Sequence, residues 1–566
     1  MNHRHNRRNP FTPVLAALLA FQLLLTACTQ GTGSSSSDAP SAPGSTASQA
    51  SSPAAEPGSG EKRADQITIA IQAEPDTLNP YNVSGAYGDP INDVLYDKFF
   101  DISYQGELIP RLCTSYETET DDQGRTVLTF HMAEDAKWQD GQPVTAADVV
   151  FTAQTVTNPD TVTTRRFYWS SLDGTDDSGV CTDPSKLGIE ALDEHTVRYT
   201  LKGPRAVDAY LIIEGRFQYI LPKHLLGEVP PAQLHQDAFW QKPVGSGPFL
   251  FDSMSSGERY ELVCNADYYQ GKPKMDRLVF AVMEPSNYAA ALSSGGIDAN
   301  TQLSEIMRDD WEFVQTIPGI ETRSITSYTY QWMNINQSRD YFKDARVRQA
   351  ISFAINRQAI VDQLLAGEGM YAVSSITPSS PYFNDKIAAD PYNPEKAKEL
   401  LEQAGWDFNR VLDFPVPIGN KVREDSAVLI QQDLAKVGIK SEIRMVDFAA
   451  VIVQMRDGDF DLGLLGGSGA DPDDVRLNFN IDGANNFSHL DTMEFYEILD
   501  KARSVSSVEE RKQLYAQWQE LCYEQTPIVW LYHPNTLFAY NGEKFENYPC
   551  EDSLANNLRV MEWSFK

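Results

Sequence analysis

The second half of the chain alternates helix and strand patterns, which restricts it to an open sheet covered by helices. Apolar residues at helical spacing predict a helix over 344–365. Asn393 and Pro394 predict the start of another helix, and Gly405 its end. Two further helix–strand pairs are expected, at 424–437 with 439–446 and at 448–456 with 460–465. This order predicts an α/β fold.

The first half carries strand signals and one capped helix start. Residues 66–71 alternate, with isoleucine at every second position, and this pattern predicts a strand. Residues 126–132 predict a second strand. Thr145, followed three residues later by Asp148, is similar to a capping box and predicts the start of a helix.

The N-terminus has the order of an export signal. A basic leader precedes an apolar run over 11–25, which is short for a membrane span. The run ends in Leu25-Thr26-Ala27-Cys28, which resembles the box before the lipid-modified cysteine of bacterial lipoproteins. We expect 1–27 to be a lipoprotein signal peptide and Cys28 to carry the lipid. An ordinary signal peptide that contains a cysteine is the alternative.

Residues 28–61 are rich in Ser, Thr, Gly, Ala and Pro and have almost no apolar side chains to bury. This composition predicts a disordered linker, with a root-mean-square span on the order of 30 Å. Such a linker would hold a folded body close to the membrane. Later apolar stretches do not reach the roughly 18 residues of a membrane span, so we expect no further span.

The remaining length, about 500 residues, is enough for two or three core-building units. The chain has 79 acidic and 47 basic residues and a formal net charge of -32. Nucleic-acid binding depends on Lys and Arg that neutralise phosphates, so this acidity disfavours a nucleic-acid partner. The charge is more consistent with solubility outside the cell.

Once Cys28 is set aside, the other cysteines lie far apart and form no Cys-x-x-Cys pair. A zinc cluster is therefore not expected. An exported location permits disulfides but does not require them. Cys522 and Cys550 are the closest pair in the sequence, which makes them the candidate disulfide.

Five segments carry further patterns, in one order, over nearly the whole chain after the linker. They are LTFHM with WQDGQPVTAADVVF within 128–151, VGSGPF at 244–249 with CNADYYQGKP at 264–273, FKDARVRQAISFAINR at 342–357, YNPEKAKELLEQAG at 392–405, and GDFD at 458–461 continuing to ADPD at 470–473. Together they resemble family 5 of the extracellular solute-binding proteins, the peptide-binding group that serves ABC importers.

The resemblance implies a two-lobed α/β body, similar to the type II periplasmic binding proteins, with an extra domain on the first lobe and a two-strand hinge. The expected parts are lobe I at 62–108, 236–325 and 536–566, the extra domain at 109–235, and lobe II at 326–535. The chain would cross between the lobes near 325 and near 535. Ligand in the cleft would favour the closed form, because only there does it contact both lobes.

The resemblance also implies ligand-binding residues. A buried ammonium group of a peptide needs an anion beside it. Asp471 matches the family's acid before Pro472, while Ser468 occupies the place where many peptide binders carry the amine-binding aspartate. Either Asp471 or a neighbouring acid therefore binds the amine, or the ligand lacks a free amine. Alternatively, Asp471 only starts a helix with Pro472, which leaves these interpretations open. The other candidates by family position are Ser84, Gly85, Ala86, Tyr168, Trp169, Gln302, Trp332, Asn334 and His533.

The implied function is capture of short peptides by a monomeric, lipid-anchored and non-enzymatic component of an ABC importer. It would work without a cofactor on the outer face of the bacterial cell membrane, which is the periplasmic side in a Gram-negative cell. Relatives that bind nickel complexes, haem or oligosaccharides supply the alternatives within the fold. Histidines outside the leader are few and none are spaced i, i+4, which disfavours a dedicated transition-metal site.

A secreted hydrolase and a receptor that senses peptides are two further alternatives. The sequence has no His-Glu-x-x-His and no Gly-x-Ser-x-Gly motif, which disfavours the common zinc and serine hydrolases. A catalytic pair of carboxylates stays open, since acidic residues are abundant. Sensing and transport would use the same binding protein, so the sequence does not separate them.

Overall fold

The computed structural model describes residues 66–83, 85–103, 107–387, 392–469, 471–483, 485–548 and 558–566. The predicted signal peptide and linker, with Cys28, lie outside the described residues, and so do Ser84 and Cys550. Within the described ranges, the helices are all too short or too polar to cross a membrane.

The chain folds into short strands and helices in a mixed order. The strands are β1 Gln66–Ile71, β2 Phe100–Ile102, β3 Leu108–Pro110, β4 Cys113–Thr120, β5 Thr126–Met132, β6 Ile189–Ala191, β7 Thr196–Thr200, β8 Phe249–Ser255, β9 Arg259–Cys264, β10 Arg277–Val282, β11 Ala299–Asn300, β12 Ile320–Thr326, β13 Thr329–Ile335, β14 Gly369–Tyr371, β15 Val411–Pro417, β16 Lys440–Val446, β17 Leu462–Ser468, β18 Ile528–Asn541, β19 Phe545–Asn547 and β20 Ser564–Phe565. The helices are α1 Asp89–Leu95, α2 Ala146–Thr157, α3 Val207–Ile213, α4 Lys223–Leu226, α5 Tyr288–Ser294, α6 Arg308–Val314, α7 Ala345–Ala354, α8 Arg357–Leu364, α9 Pro394–Ala404, α10 Lys421–Lys436, α11 Phe448–Asp457, α12 Glu494–Ser504 and α13 Val508–Gln525.

One mixed sheet of ten strands runs through both lobes, in the order β17-β13-β18-β11-β1-β10-β9-β8, with β12 and β14 also paired to β18. β1 is parallel to β10 and β11, whereas β13 is antiparallel to β17 and β18. The extra domain has its own antiparallel sheet, β4-β5-β7-β6.

Two connections carry the chain between the lobes. The first half of β18 pairs with β13, and its second half, from Asn535 onward, pairs with β12. β12 and β13 are joined only by Ser327 and Tyr328. The lobes therefore meet at two adjacent extended segments, which form the two-strand hinge of the expected fold.

Separate apolar cores lie on the two sides of the hinge. β1, β8, β9, β10 and the sheet of the extra domain share one core with Trp563 near the C-terminus. The second lobe is built on two cores, one around Ile351 and Leu434 and one around Trp518 and Trp530. Since the extra domain shares its core with the first lobe, the two move together. The residue boundaries given above for these parts stay predictions.

Several helix ends follow their local signals. The side chains and backbone of Thr145 and Asp148 form the predicted capping box at the start of α2. α9 begins after Asn393, whose side chain accepts the N–H of Lys396, and it ends at Gly405 with a φ of 70°. These signals depend on neighbours in the sequence, and this explains why they could be read without the fold.

The predicted helix over 344–365 is wrong as a single element. Ile355 takes an extended conformation after α7, and Asn356 then caps α8 by accepting the N–H of Ala359 at 3.0 Å. Apolar spacing continues across the break, so periodicity could not reveal it. α10 likewise begins at Lys421 rather than at 424, because Asn420 caps it.

Candidate functional site

A pocket lies beside the hinge, on the side of the second lobe that faces the extra domain. The start of β13 and the residue before it supply one wall, the loop at 374–380 a second, and the short helix Pro472–Phe479 a third. The cavity between these walls is small, with a volume of about 10 Å³, which is room for about one water molecule. The polar side chains that line it are Tyr328, Tyr330, Ser375, Thr377, Ser380, Asp471 and Asp474.

The extra domain approaches this pocket from the other lobe. Tyr168 lies near enough to Asp474 for the two to interact electrostatically, and the charge of Arg216 also acts on Asp474. The ring of Tyr168 stacks on Phe217 with centroids 4.4 Å apart. Burial raises the pKa of Tyr168 to about 12, so its hydroxyl stays protonated at neutral pH. The second lobe therefore lines the pocket, and groups of the extra domain act electrostatically on its Asp474.

Asp471 has a structural position at the edge of the pocket, and its predicted ligand role stays a prediction. Its side chain is 2% exposed, and its Oδ2 lies 2.6 Å from Nη2 of Arg511. Its Oδ1 accepts the N–H of Asp473 at 2.9 Å and the hydroxyl of Tyr515 at 3.2 Å. Asp471 thus caps the helix Pro472–Phe479 and neutralises a buried guanidinium. A ligand amine would have to share this carboxylate with Arg511.

Asp473 and Asp474 follow on the same helix and differ in their partners. Asp473 Oδ1 accepts a hydrogen bond from Arg476 Nε at 2.8 Å, and its Oδ2 lies 3.4 Å from Arg503 Nε. Asp474 instead accepts the backbone N–H of Asp471 at 3.4 Å. Its carboxylate is thus held by a backbone amide rather than by a guanidinium.

The position of Asp474 disfavours its charged form until a cation arrives. Burial, together with the negative charges of Asp471 and Asp473, raises the pKa of this carboxyl to about 8. A cation placed beside it would favour the carboxylate again. Ser375, on the opposite wall, has a buried hydroxyl oxygen without a hydrogen-bond partner. The pocket therefore offers a carboxylate and a free hydroxyl to an ammonium group.

Gly469 permits this arrangement at the end of β17. A Cβ at that position would overlap the carboxylate of Asp474. Ser468, the preceding residue and a predicted ligand contact, is exposed and pairs with Thr329 across the sheet. Ser468 therefore remains a candidate beside the pocket.

Three predicted ligand contacts are instead core residues. Trp169 is fully buried in the core of the extra domain. Trp332 packs in the second lobe against the rings of Tyr330 and Trp530. Asn334 is 2% exposed and accepts the hydroxyl of Ser488 at 2.9 Å. Each of the three is buried in this structure, and their predicted contact with a ligand stays a prediction.

His533 lies in the hinge and also has a structural position. Its Nδ1 is 3.1 Å from the carbonyl oxygen of Thr329, and its Nε2 is 3.1 Å from that of Ser374. Burial lowers the pKa of His533 to about 4, so the ring is neutral at pH 7 and donates to one of these carbonyls. The ring fastens the pocket loop at 374–380 to the hinge.

Gly85, Ala86 and Gln302 are half-buried in loops of the first lobe, after β1 and β11. They remain candidates, and Ser84 lies outside the described residues.

Asp474 and Ser375 were missed by sequence reasoning. The spacing of three residues between Asp471 and Asp474 matches that of Thr145 and Asp148, and it could have identified Asp471 as a helix cap. Ser375 carries no such signal.

Cys522 is a free thiol buried in the second lobe. Its predicted partner, Cys550, lies outside the described residues, but Tyr548 nearby in the chain packs in the first lobe's core. The pairing of Cys522 with Cys550 therefore stays a prediction. Across the described ranges, no group of three or more His, Cys, Asp or Glu side chains is placed to hold a metal ion.

Residues 107–488 match the family model of the bacterial extracellular solute-binding proteins, family 5, middle region. The chain belongs to this family. The predicted recognition and the two-lobed α/β fold are thereby confirmed. Members of the family are extracellular solute-binding proteins, and this places the chain in a binding family rather than an enzyme family.

Several characterised members of family 5 are similar over most of their length. The oligopeptide-binding protein AppA of Bacillus subtilis is 29% identical over 514 residues, which cover 83% of this chain and 89% of that protein. Di/tripeptide-binding protein 1 of Pseudomonas aeruginosa is 27% identical over 492 residues, with coverage of 83% and 89%. Relatives of this chain are thus substrate-binding components for peptides.

Solved structures show the same fold. AppA from Bacillus subtilis in complex with a nonapeptide has a TM-score of 0.68 and 26% identity, covering 88% of this chain and 99% of that one. The unliganded open form of MppA, a periplasmic murein tripeptide binding protein, has a TM-score of 0.76, 19% identity and coverage of 89% and 98%. The second likeness concerns the fold alone.

Proposed function

We propose that this chain is the lipid-anchored extracellular component of an ABC importer, and that it captures short peptides between its lobes for delivery to a membrane permease. The observation that carries the proposal is the pocket beside the hinge, where Asp474 and the unpartnered hydroxyl of Ser375 lie together. An ammonium group that enters a closing cleft loses water and needs an anion. Asp474 supplies that anion in place of Asp471.

The chemistry of the pocket suits the amino end of a peptide. The ammonium group has three donors, and Asp474 with Ser375 provides acceptors for them. Tyr330 and Tyr328 supply aromatic surface next to this polar end, and Tyr168 stacks with Phe217 on the facing domain. Aromatic walls accept varied apolar side chains, which a binder of mixed peptides requires. The peptides named for AppA and di/tripeptide-binding protein 1 support this class of ligand.

The anchor rests on the sequence alone. The leader, the apolar run, the box that ends at Cys28 and the linker occur in the order of a bacterial lipoprotein. A lipid on Cys28 would hold the lobes outside the cell membrane, within reach of a permease. Firm attachment to a membrane usually requires two anchoring groups, such as two acyl chains, and a diacylglyceryl group supplies two acyl chains.

Mass spectrometry of the ligand that co-purifies with the protein is the decisive experiment. The ligand is released by denaturation of the full-length mature chain, and we expect short peptides with free amino ends. A bound oligosaccharide, haem or nickel complex would replace the peptide assignment by one of the alternatives. Steady cleavage of added peptides or glycosides by the purified protein would identify a hydrolase instead.

Solution scattering then tests capture by closure. Addition of the identified peptide should lower the radius of gyration. At a ligand concentration of 100 times the dissociation constant it should stabilise the fold by roughly 2.7 kcal/mol. Equal scattering profiles with and without saturating peptide would contradict capture between moving lobes.

A further inference from the structure

A short segment of the extra domain bonds directly to the second lobe. The N–H of Ala206 donates to the carbonyl of Arg503 at 2.9 Å. Two residues later, Oδ2 of Asp208 lies 2.5 Å from Nη1 of Arg511 and accepts the hydroxyl of Tyr382 at 2.9 Å. These bonds join protein to protein across the cleft and involve no ligand.

The two sides of this contact belong to bodies that move separately. α3, which begins at Val207, places Tyr210 and Leu211 in the core that the extra domain shares with the first lobe. Tyr382 packs in a core of the second lobe, and Arg511 lies over its ring at 4.7 Å. If the hinge opens, these bodies move apart, so we expect the contact to break in a more open form.

We propose that Asp208 is a closure latch, whose ion pair with Arg511 sets the fraction of molecules that are closed before ligand binds. The proposal depends on the two-lobed fold and not on the identity of the ligand, so it goes beyond the peptide-binding function. Asp208 would act on ligand affinity as a positioning residue, without touching the ligand.

The partners of Arg511 make the latch reversible. The guanidinium is fully buried, and it keeps Asp471 at 2.6 Å and Tyr515 at 3.3 Å within its own lobe. Asp208, whose side chain is 33% exposed, returns to water when the cleft opens. Opening therefore leaves no buried charge without a partner. If Arg511 lost all its partners, the free energy cost of opening would be very high.

The latch has a calculable effect on affinity. If only closed molecules hold ligand tightly, the apparent dissociation constant is the intrinsic one divided by the closed fraction. Partly exposed ion pairs contribute modestly, so we expect loss of the pair to lower the closed fraction by about two- to fivefold. Affinity for any ligand of the cleft should fall by the same factor.

The test is small-angle scattering of the ligand-free mature protein, compared with Asp208→Asn. Asparagine keeps the shape of the side chain and removes its charge. We expect a larger radius of gyration for the variant and the wild-type value for Asp160→Asn, a matched change at an exposed residue of the same domain. Asp208→Glu should restore part of the compaction.

The salt dependence of the radius of gyration distinguishes an ion pair of Asp208 from a purely structural role of this residue, which salt would not affect. Screening weakens partly exposed ion pairs, so the wild-type radius should rise as NaCl is raised from about 0.05 to 1 M. The Asp208→Asn radius should stay constant over that range. Tyr382→Phe, which removes a donor to the same oxygen without changing charge, should give an intermediate radius and retain the salt response. Equal radii and equal salt responses for wild type and Asp208→Asn would overturn the proposal, whatever the ligand proves to be.

Discussion

Asp471 caps a short helix, and Asp474 lies three residues further along the chain in its first turn. Asp471 pairs with Arg511 at 2.6 Å. Among the hydrogen bonds of the described residues, Asp474 accepts only a backbone N–H, at 3.4 Å. The first carboxylate holds the fold together at the base of the pocket, and the second faces the space that a ligand would fill. Substitution of each acid should therefore have a different effect.

Asp471→Asn should lower stability. The asparagine still caps the helix Pro472–Phe479, so the change isolates the loss of charge beside Arg511. Breaking a buried ion pair typically costs about 3–5 kcal/mol, but Asp208 still faces Arg511, and we expect about 2–3 kcal/mol. Urea unfolding measures the loss, with Asp482→Asn, an exposed residue of a nearby loop, as the control. Equal midpoints for Asp471→Asn and wild type would show that the pair contributes nothing.

Asp474→Asn should weaken binding of a peptide with a free amino end. Loss of the anion leaves the ammonium unpaired in a closed cleft, which corresponds to at least about a hundredfold loss of affinity. The N-acetylated form of the same peptide should lose little, because it brings no charge. Titration calorimetry of both peptides against both proteins separates these cases. Equal losses for the two peptides would mean that Asp474 supports the shape of the pocket instead of binding an amine.

The ligand-free protein should lose stability through Asp474 as the pH rises. The folded pKa of this carboxyl is about 8, while an aspartate in the unfolded chain titrates near about 3.9. Between these values the folded state holds a proton that the unfolded state has released, so this contribution falls from about pH 4 to pH 8. Urea unfolding at stepped pH should show a shallower decline for Asp474→Asn. Parallel pH profiles for the two proteins would contradict the raised pKa.

Cys28→Ser should release the protein from the membrane. Serine has no thiol to alkylate, so labelling with a tagged fatty acid should disappear and the body should move to the soluble fraction. The linker and lobes are unchanged, and ligand affinity should stay at the wild-type value. A variant that stays in the membrane fraction with an unaltered N-terminus would refute the lipoprotein assignment.

Much of the fold could be predicted because its signals are local. Strands at 66–71 and 126–132, and the caps of α2 and α9, depend on residues within a few positions of each other. The break between α7 and α8 was missed, since the cap by Asn356 competes with apolar spacing that continues through it. The burial of predicted contacts such as Trp332 could not be read from family position, because it depends on the packing of the folded chain.

Sequence alone was sufficient for the family and the two-lobed α/β architecture, because motif order and hydrophobic pattern survive without knowledge of contacts. Tertiary structure decided which acid is paired with a guanidinium. Asp471 is occupied by Arg511, 40 residues further along the chain, and Asp474 owes its raised pKa to burial and to neighbouring carboxylates. The contact of Asp208 with Arg511 spans 303 residues. Ion pairs between residues so far apart in the sequence form only when the chain folds, so the spacing of residues in the sequence does not predict them.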